Sequence, residues 1–186
     1  MLTRPLAVLA LILTVSSAAH AADLKSLSVD PAQSRIDVAV HATVDSFVGT
    51  LSHYKAAIAI NPVDGRIGSA SLSFAFSDLK TGKSDRDAKM LSWEQSTRYP
   101  DASFVLGSLK QTSEDEYRVT GTFTMHGVSR QITFPVSVTT DHKTYAVDGS
   151  AKLDTRDYGL PIIRVALFLK VDPVVVIHFH LQATAN

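Results

Sequence analysis

The chain has 186 residues, of which 45% are hydrophobic, enough for one domain with a true core. Its 18 basic and 18 acidic residues cancel, so no strong field directs it to nucleic acid or to an anionic membrane. It has no cysteine, which excludes disulfides, thiolate metal sites and cysteine nucleophiles.

Arg4 is followed by an apolar run from Leu6 to Val15 and then by Ala19-His20-Ala21. The run is too short to cross a hydrocarbon core of about 30 Å as a helix. A basic start, a short apolar stretch and an A-x-A site are the marks of a cleavable secretory signal. The expected organisation is a signal peptide over 1–21 and one β-domain over 22–186. Export of a cysteine-free chain fits a bacterial periplasm.

Beyond that point, apolar and polar residues alternate with period two, the mark of half-buried strands. Ile36, Val38 and Val40 share one phase, as do Ala56, Ile58 and Ile60. Asp64-Gly65 marks a turn. Ala70, Leu72, Phe74 and Phe76 form the next apolar face, with serines opposite. The stretch from Thr81 to Trp93 breaks the rule. It is charged, and Asp85 to Ser92 reads as a short helix with Asp85 as its N-cap. Phe74, Phe76, Trp93 and Phe104 flank it, an arrangement that suits a cap over an apolar interior.

Alternation resumes at Phe104 and Leu106, then over Tyr117 to Met125. His126-Gly127 reads as a tight turn. Ile132, Phe134, Val136 and Val138 follow, with Pro135 on the opposite phase, as at an edge, a bulge or a strand end. Tyr145 to Leu153 and Val175 to Leu181 complete the set. Leu160 to Asp172 alternates in part, but Phe168 falls out of phase. About eight short strands make an all-β antiparallel sandwich or barrel. A barrel of that size can just be filled by its own side chains or hold one small ligand. The pattern alone favours the filled interior.

The chemistry-bearing residues are sparse. No serine sits in a G-x-S-x-G elbow, and no phosphate-binding glycine loop is present. His178 and His180 project from one face of a strand, but zinc needs three or four ligands and no third is evident. They read as an outward polar face. Asp85-Arg86-Asp87 reads first as helix-start charge, and second as a gate or head-group contact.

Several stretches resemble the YceI-like family, periplasmic polyisoprenoid-binding proteins with a lipocalin-like barrel. They are Val48-Gly49-Thr50, Thr81 through Asp87 with Met90, and Tyr99-Pro100-Asp101-Ala102-Ser103-Phe104. The most specific is Val119-Thr120-Gly121-Thr122-Phe123-Thr124-Met125-His126-Gly127-Val128-Ser129-Arg130, followed by Lys152-Leu153-Asp154-Thr155-Arg156-Asp157-Tyr158-Gly159-Leu160 and by Asp172 to Leu181 as the closing strand. The likeness runs from Val29 to Leu181. Gln33-Ser34 stands where the family often has His-Ser, and Lys89 where a histidine commonly follows Arg-Asp.

The resemblance implies a single antiparallel barrel of about eight strands with a short helix at its mouth. It also makes the region after Leu160 a loop. It implies a binding or carrier protein, not an enzyme, with no cofactor and no metal. Its ligand is an isoprenoid lipid, a quinone or a polyprenyl chain, and transient contact with a membrane or a membrane redox protein is implied too. The alternative is a small secreted hydrolase or isomerase with a histidine and a carboxylate at the mouth. A third reading is a lipid-free structural domain. If the interior holds an apolar chain, its wall comes from Ile58, Leu72, Phe74, Phe104, Phe123, Phe134, Val147 and Ile177 on the apolar strand phases. Phe47, Met90 and Trp93 are expected outside the regular strands, near the mouth.

Overall fold

The computed structural model describes residues 23–165 and 169–185. The expected signal peptide and the out-of-phase Phe168 lie outside the described residues. In chain order the strands are β1 (Lys25–Val29), β2 (Arg35–Val40), β3 (Phe47–Leu51), β4 (Lys55–Ile60), β5 (Ile67–Ala75) and β6 (Leu79–Lys80). The helix α1 (Ser84–Glu94) comes next. Then follow β7 (Asp101–Gln111), β8 (Glu116–Met125), β9 (Val128–Asp141), β10 (Thr144–Asp154), β11 (Arg164–Val165), β12 (Leu169–Lys170) and β13 (Val174–Ala185).

Eight strands close on themselves in the order β1, β4, β5, β7, β8, β9, β10, β13, with β13 returning to β1. Neighbouring strands are antiparallel throughout. The expected barrel is therefore present, and the sandwich is not. Period two explains the wall. Along β8, Val119, Gly121, Phe123 and Met125 are buried while Arg118 and Thr122 on the other phase are exposed.

The barrel closes fully at one end only. The chain breaks between β1 and β2 in a 3-10 turn at Pro31–Gln33, where Asp30 Oδ1 accepts from the Ala32 N–H at 2.9 Å. The two pieces share β13. Ala183 to Ala185 pair with β1, and Val176 to His180 pair with β2. β2 then carries β3 and β6 as a flap of the same sheet, while β1 carries β4. At the closed end Leu27, Ile58, Ile60, Tyr145 and Ala183 pack into a floor.

The flap end is bridged by α1. Met90 packs on the flap cluster of Ile36, Leu51 and Leu79. Leu91 and Trp93 pack on Phe76, Phe123 and Leu153 of the barrel. The helix is longer than expected and its cap differs. Lys83 is the N-cap and makes no side-chain capping bond. Asp85 lies in the first turn, and the anchoring carboxylate is Asp87, which accepts from Thr81 N at 3.0 Å and Thr81 Oγ1 at 2.6 Å.

Three other sequence expectations change. Phe47 is not outside the strands but opens β3. β1 and β3, five residues each, carried too little alternation to be read from the sequence. The region after Leu160 is not wholly a loop, because β11 and β12 pair as a short hairpin. Pro135 lies inside β9, at the point where the ladder to β10 stops after Val136, so on that side no partner awaits the N–H it lacks. His126 and Gly127, at φ 50 and 71, make the tight β8–β9 turn as expected.

Candidate functional site

The barrel interior is not filled. A cavity of about 470 Å³ opens at the α1 end, and a second of about 120 Å³ lies deeper in the barrel. The outer cavity is walled by Val38 and Val40 of β2, Phe47 of β3, Phe74 of β5, Met90 and Trp93 of α1, and Met125, Leu153 and Val175. The deep cavity is walled by Ile36, Ile58, Leu72, Phe104, Phe134, Val147, Phe179 and others, all of them apolar. Phe123 and Ile177 line both, so they mark the waist between the chambers.

The structure thus gathers the eleven residues singled out from sequence along one interior. Phe47, Phe74, Met90 and Trp93 stand in the outer chamber, and Ile58, Leu72, Phe104, Phe134 and Val147 in the deep one. Trp93 serves the fold as well as the cavity. It is half-buried against the barrel core, and its Nε1–H donates to Pro161 O at 2.8 Å.

Sequence reasoning reaches the rim only at Arg86, whose second reading is a gate or head-group contact. Asp45, Arg86, Lys89, Arg164 and Asp172 all line the outer chamber. Arg86 lies 3.9 Å over the Phe47 ring and 3.9 Å from Asp45, which suits a cation–π contact reinforced by a weak ion pair. Asp45 and Asp172 come from connections, and Arg164 opens the two-residue strand β11. Val38 and Val40 could have been added, because they share the apolar phase of Ile36.

A strap made of residues 161–164 and 170–173 forms one side of the mouth. It is pinned by the Trp93 bond, by the Thr43 N–H donating to Lys170 O at 3.0 Å, and by the Asp172 N–H donating to His41 O at 2.8 Å. The mouth is therefore built from three tied pieces: the α1 helix, the β2–β3 connection and the strap.

The electrostatics place charge at the entrance and almost none inside. Among the described residues no histidine lines either chamber. His178 and His180 point outward, opposite Ile177 and Phe179. His180 Nδ1–H donates to Asp148 Oδ1 at 2.7 Å. Among the described residues no three His, Asp or Glu side chains are placed to hold a metal.

One titratable group is buried away from both cavities. Glu94, the last residue of α1, has no exposed surface and neither carboxyl oxygen has a hydrogen-bond partner. Burial pushes its pKa up to about 7. The nearby His126 N–H pulls the other way without reaching bonding geometry. His126 Nε2 and the Tyr158 hydroxyl are likewise buried without partners, and His126 Nδ1–H donates to Tyr158 O at 3.0 Å.

The family model for the YceI-like domain matches residues 27–183. The chain belongs to the YceI-like family. Two UPF0312 proteins of Pseudomonas putida strains are 28% identical over 129 residues, 65% of this chain. The match spans 64% of the length of those relatives. Among solved structures, BcnA of Burkholderia cenocepacia superposes with a TM-score of 0.75 at 24% identity, over 84% of this chain and 100% of that one. A polyisoprenoid binding domain from Saccharophagus degradans gives 0.67 at 18%, over 88% and 99%. The YceI protein of Campylobacter jejuni gives 0.68 at 17%, over 78% and 89%. At these identities the likeness establishes the fold.

Proposed function

We propose that this YceI-like protein is a periplasmic carrier that holds one long isoprenoid lipid, a quinone or a polyprenyl chain, and catalyses no reaction. One observation carries the reading. Both chambers are walled by apolar side chains, and every charged lining residue belongs to the outer one. That gradient suits a molecule with a polar head and a long apolar tail. The tail runs through the waist, and the head stays among Asp45, Arg86, Lys89 and Arg164. An outer chamber of about 470 Å³ is within the range of small-molecule sites. Burial of the tail contributes roughly 25 cal/mol per Å², so tight binding needs no directional bonds.

The neighbour from Saccharophagus degradans, described as a polyisoprenoid binding domain, supports the same ligand class. The basic and apolar N-terminal sequence with its A-x-A site supports export. Loading and release then proceed through transient contact with a membrane or a membrane redox protein. A hydrolase or isomerase would need convergent acid–base groups inside the barrel. A structural domain would need its interior filled.

The test is native mass spectrometry of the protein recovered from a bacterial periplasm, with organic extraction of the same sample. The expected result is a one-to-one adduct that extracts as an isoprenoid. A protein that emerges lipid-free and takes up no isoprenoid from detergent micelles would remove the proposal.

A further inference from the structure

The two chambers are kept apart by very little, and two glycines decide how much space lies beyond the waist. Gly149 of β10 sits directly opposite Phe179 of β13 in the ladder. A Cβ built on Gly149 would run into Phe179 Cζ, and would stand 2.9 Å from both Phe179 Cε1 and Val136 Cγ1. The Phe179 ring therefore lies down on the bare backbone of β10. Gly121 of β8 does the same for Phe104, whose Cζ and Cε2 occupy the place of its missing Cβ. Both glycines fall on the inward phase of their strands, where a larger residue would otherwise stand.

The two rings are linked through a third. Phe134 lies 5.6 Å from Phe104 and 6.0 Å from Phe179, centroid to centroid. All three line the deep chamber. Packed along the wall, with Phe134 edge-on to Phe179 and tilted against Phe104, they leave about 120 Å³ open beyond Phe123 and Ile177. Phe179 cannot retreat outward if its seat is lost. The β10 backbone is behind it, Val136 and Phe134 are on one side, and Ile36 is its ladder partner on the other. The space left to it is the chamber, which a phenyl ring would largely close.

We propose that the glycine seats at 149 and 121, with the Phe179 and Phe104 rings that rest on them, are a length ruler that sets how long an apolar tail the barrel accepts. This rests on the isoprenoid reading above. A short tail is housed by the outer chamber alone. A long one must pass Phe123 and Ile177 and lie against the reclined rings. The selected ligand class is therefore a polyprenyl tail longer than the outer chamber can house.

The experiment uses all-trans farnesol as the short probe and solanesol as the long one, each offered from detergent micelles. Bound lipid is counted by native mass spectrometry and extraction, and melting is followed by circular dichroism. Gly149 is the cleaner position, because the three atoms nearest its Cβ all belong to side chains, whereas a Cβ at Gly121 would also stand 2.6 Å from the Val105 carbonyl oxygen. Gly149→Ala is expected to lower solanesol affinity about tenfold or more and to leave farnesol within about twofold. Phe179→Leu, which removes the ring, is expected to raise solanesol affinity. The double variant is expected to bind solanesol better than Gly149→Ala alone, since no ring remains to be displaced.

Equal loss of both probes in a folded Gly149→Ala, or no loss of either, overturns the ruler. If Gly149→Ala does not fold, Phe179→Leu decides: an unchanged preference between the probes overturns it. A wild-type protein that takes farnesol but not solanesol overturns it as well. A wild-type protein that binds neither sinks the isoprenoid reading itself, a result distinct from all of these.

Discussion

Glu94 shows how a single residue can carry a pH signature without touching the ligand. Its carboxyl is fully buried, and it ends α1, where the helix dipole also disfavours negative charge. The folded chain holds this proton up to about pH 7, against an ordinary value of 4.5. Between those values the folded state binds more protons than the unfolded one. Stability therefore falls as pH rises through that window and is flat above it. The loss is on the order of 3 kcal/mol. Glu94→Gln keeps the shape and removes the charge. It is expected to leave stability near pH 4.5 almost unchanged and to raise it above pH 7, as read by urea unfolding across that range. A variant with the wild-type pH profile would show that the carboxyl is not held neutral. At this scale the sequence was least informative. Glu94 lies two residues beyond the end of the helix read from sequence, and nothing local marks it as the side chain that turns inward. Phe47, by contrast, reads as a mouth residue from a place outside the regular strands, and the structure keeps it at the mouth but as the first residue of β3.

At the scale of elements, the long strands were legible because each keeps one phase for many residues. Met125 and Val128, on either side of His126-Gly127, show how turn chemistry set the hairpin register as well. The short pieces were not legible. β3 exists because β2 leaves it an edge to pair with, and β6 because β3 leaves the next one, a cause remote in sequence for β6. The helix was legible in place but not in its anchoring. Its docking depends on Trp93, which joins α1 to the strap through Pro161 and to the barrel through the Phe123 cluster. Trp93→Phe keeps most of the packing and loses the hydrogen bond, at about 1 kcal/mol. Trp93→Ala also loses the ring and is expected to cost about 3 kcal/mol in all, with a lower melting temperature. Circular dichroism melts of the two variants check this. If Trp93→Ala melts with the wild type, α1 is held by other contacts and the tie to the strap is incidental.

For the whole molecule, the sequence left sandwich and barrel open because closure is a single long-range event, β1 meeting the end of β13. It also left the interior open. Small and large residues alternate in facing strands, as at Gly149 and Phe179, but whether a ring lies along the wall or across the lumen depends on the direction of the partner strand. The cavity wall follows strand phase, whereas of the rim charges only Arg86, on the helix, reads as a gate or head-group contact, and Asp45 and Asp172 sit in connections that carry no such pattern. The central claim is that an apolar tail threads the waist with its head at the rim. An isoprenoid carrying a photoactivatable diazirine at the tail end tests this most directly, with cross-linked peptides mapped by mass spectrometry. The account predicts adducts deep in the barrel, on the β10 and β13 segments around Val147 and Phe179. Adducts confined to Phe47, Arg86, Trp93 and the strap, with none beyond Phe123 and Ile177, would contradict it.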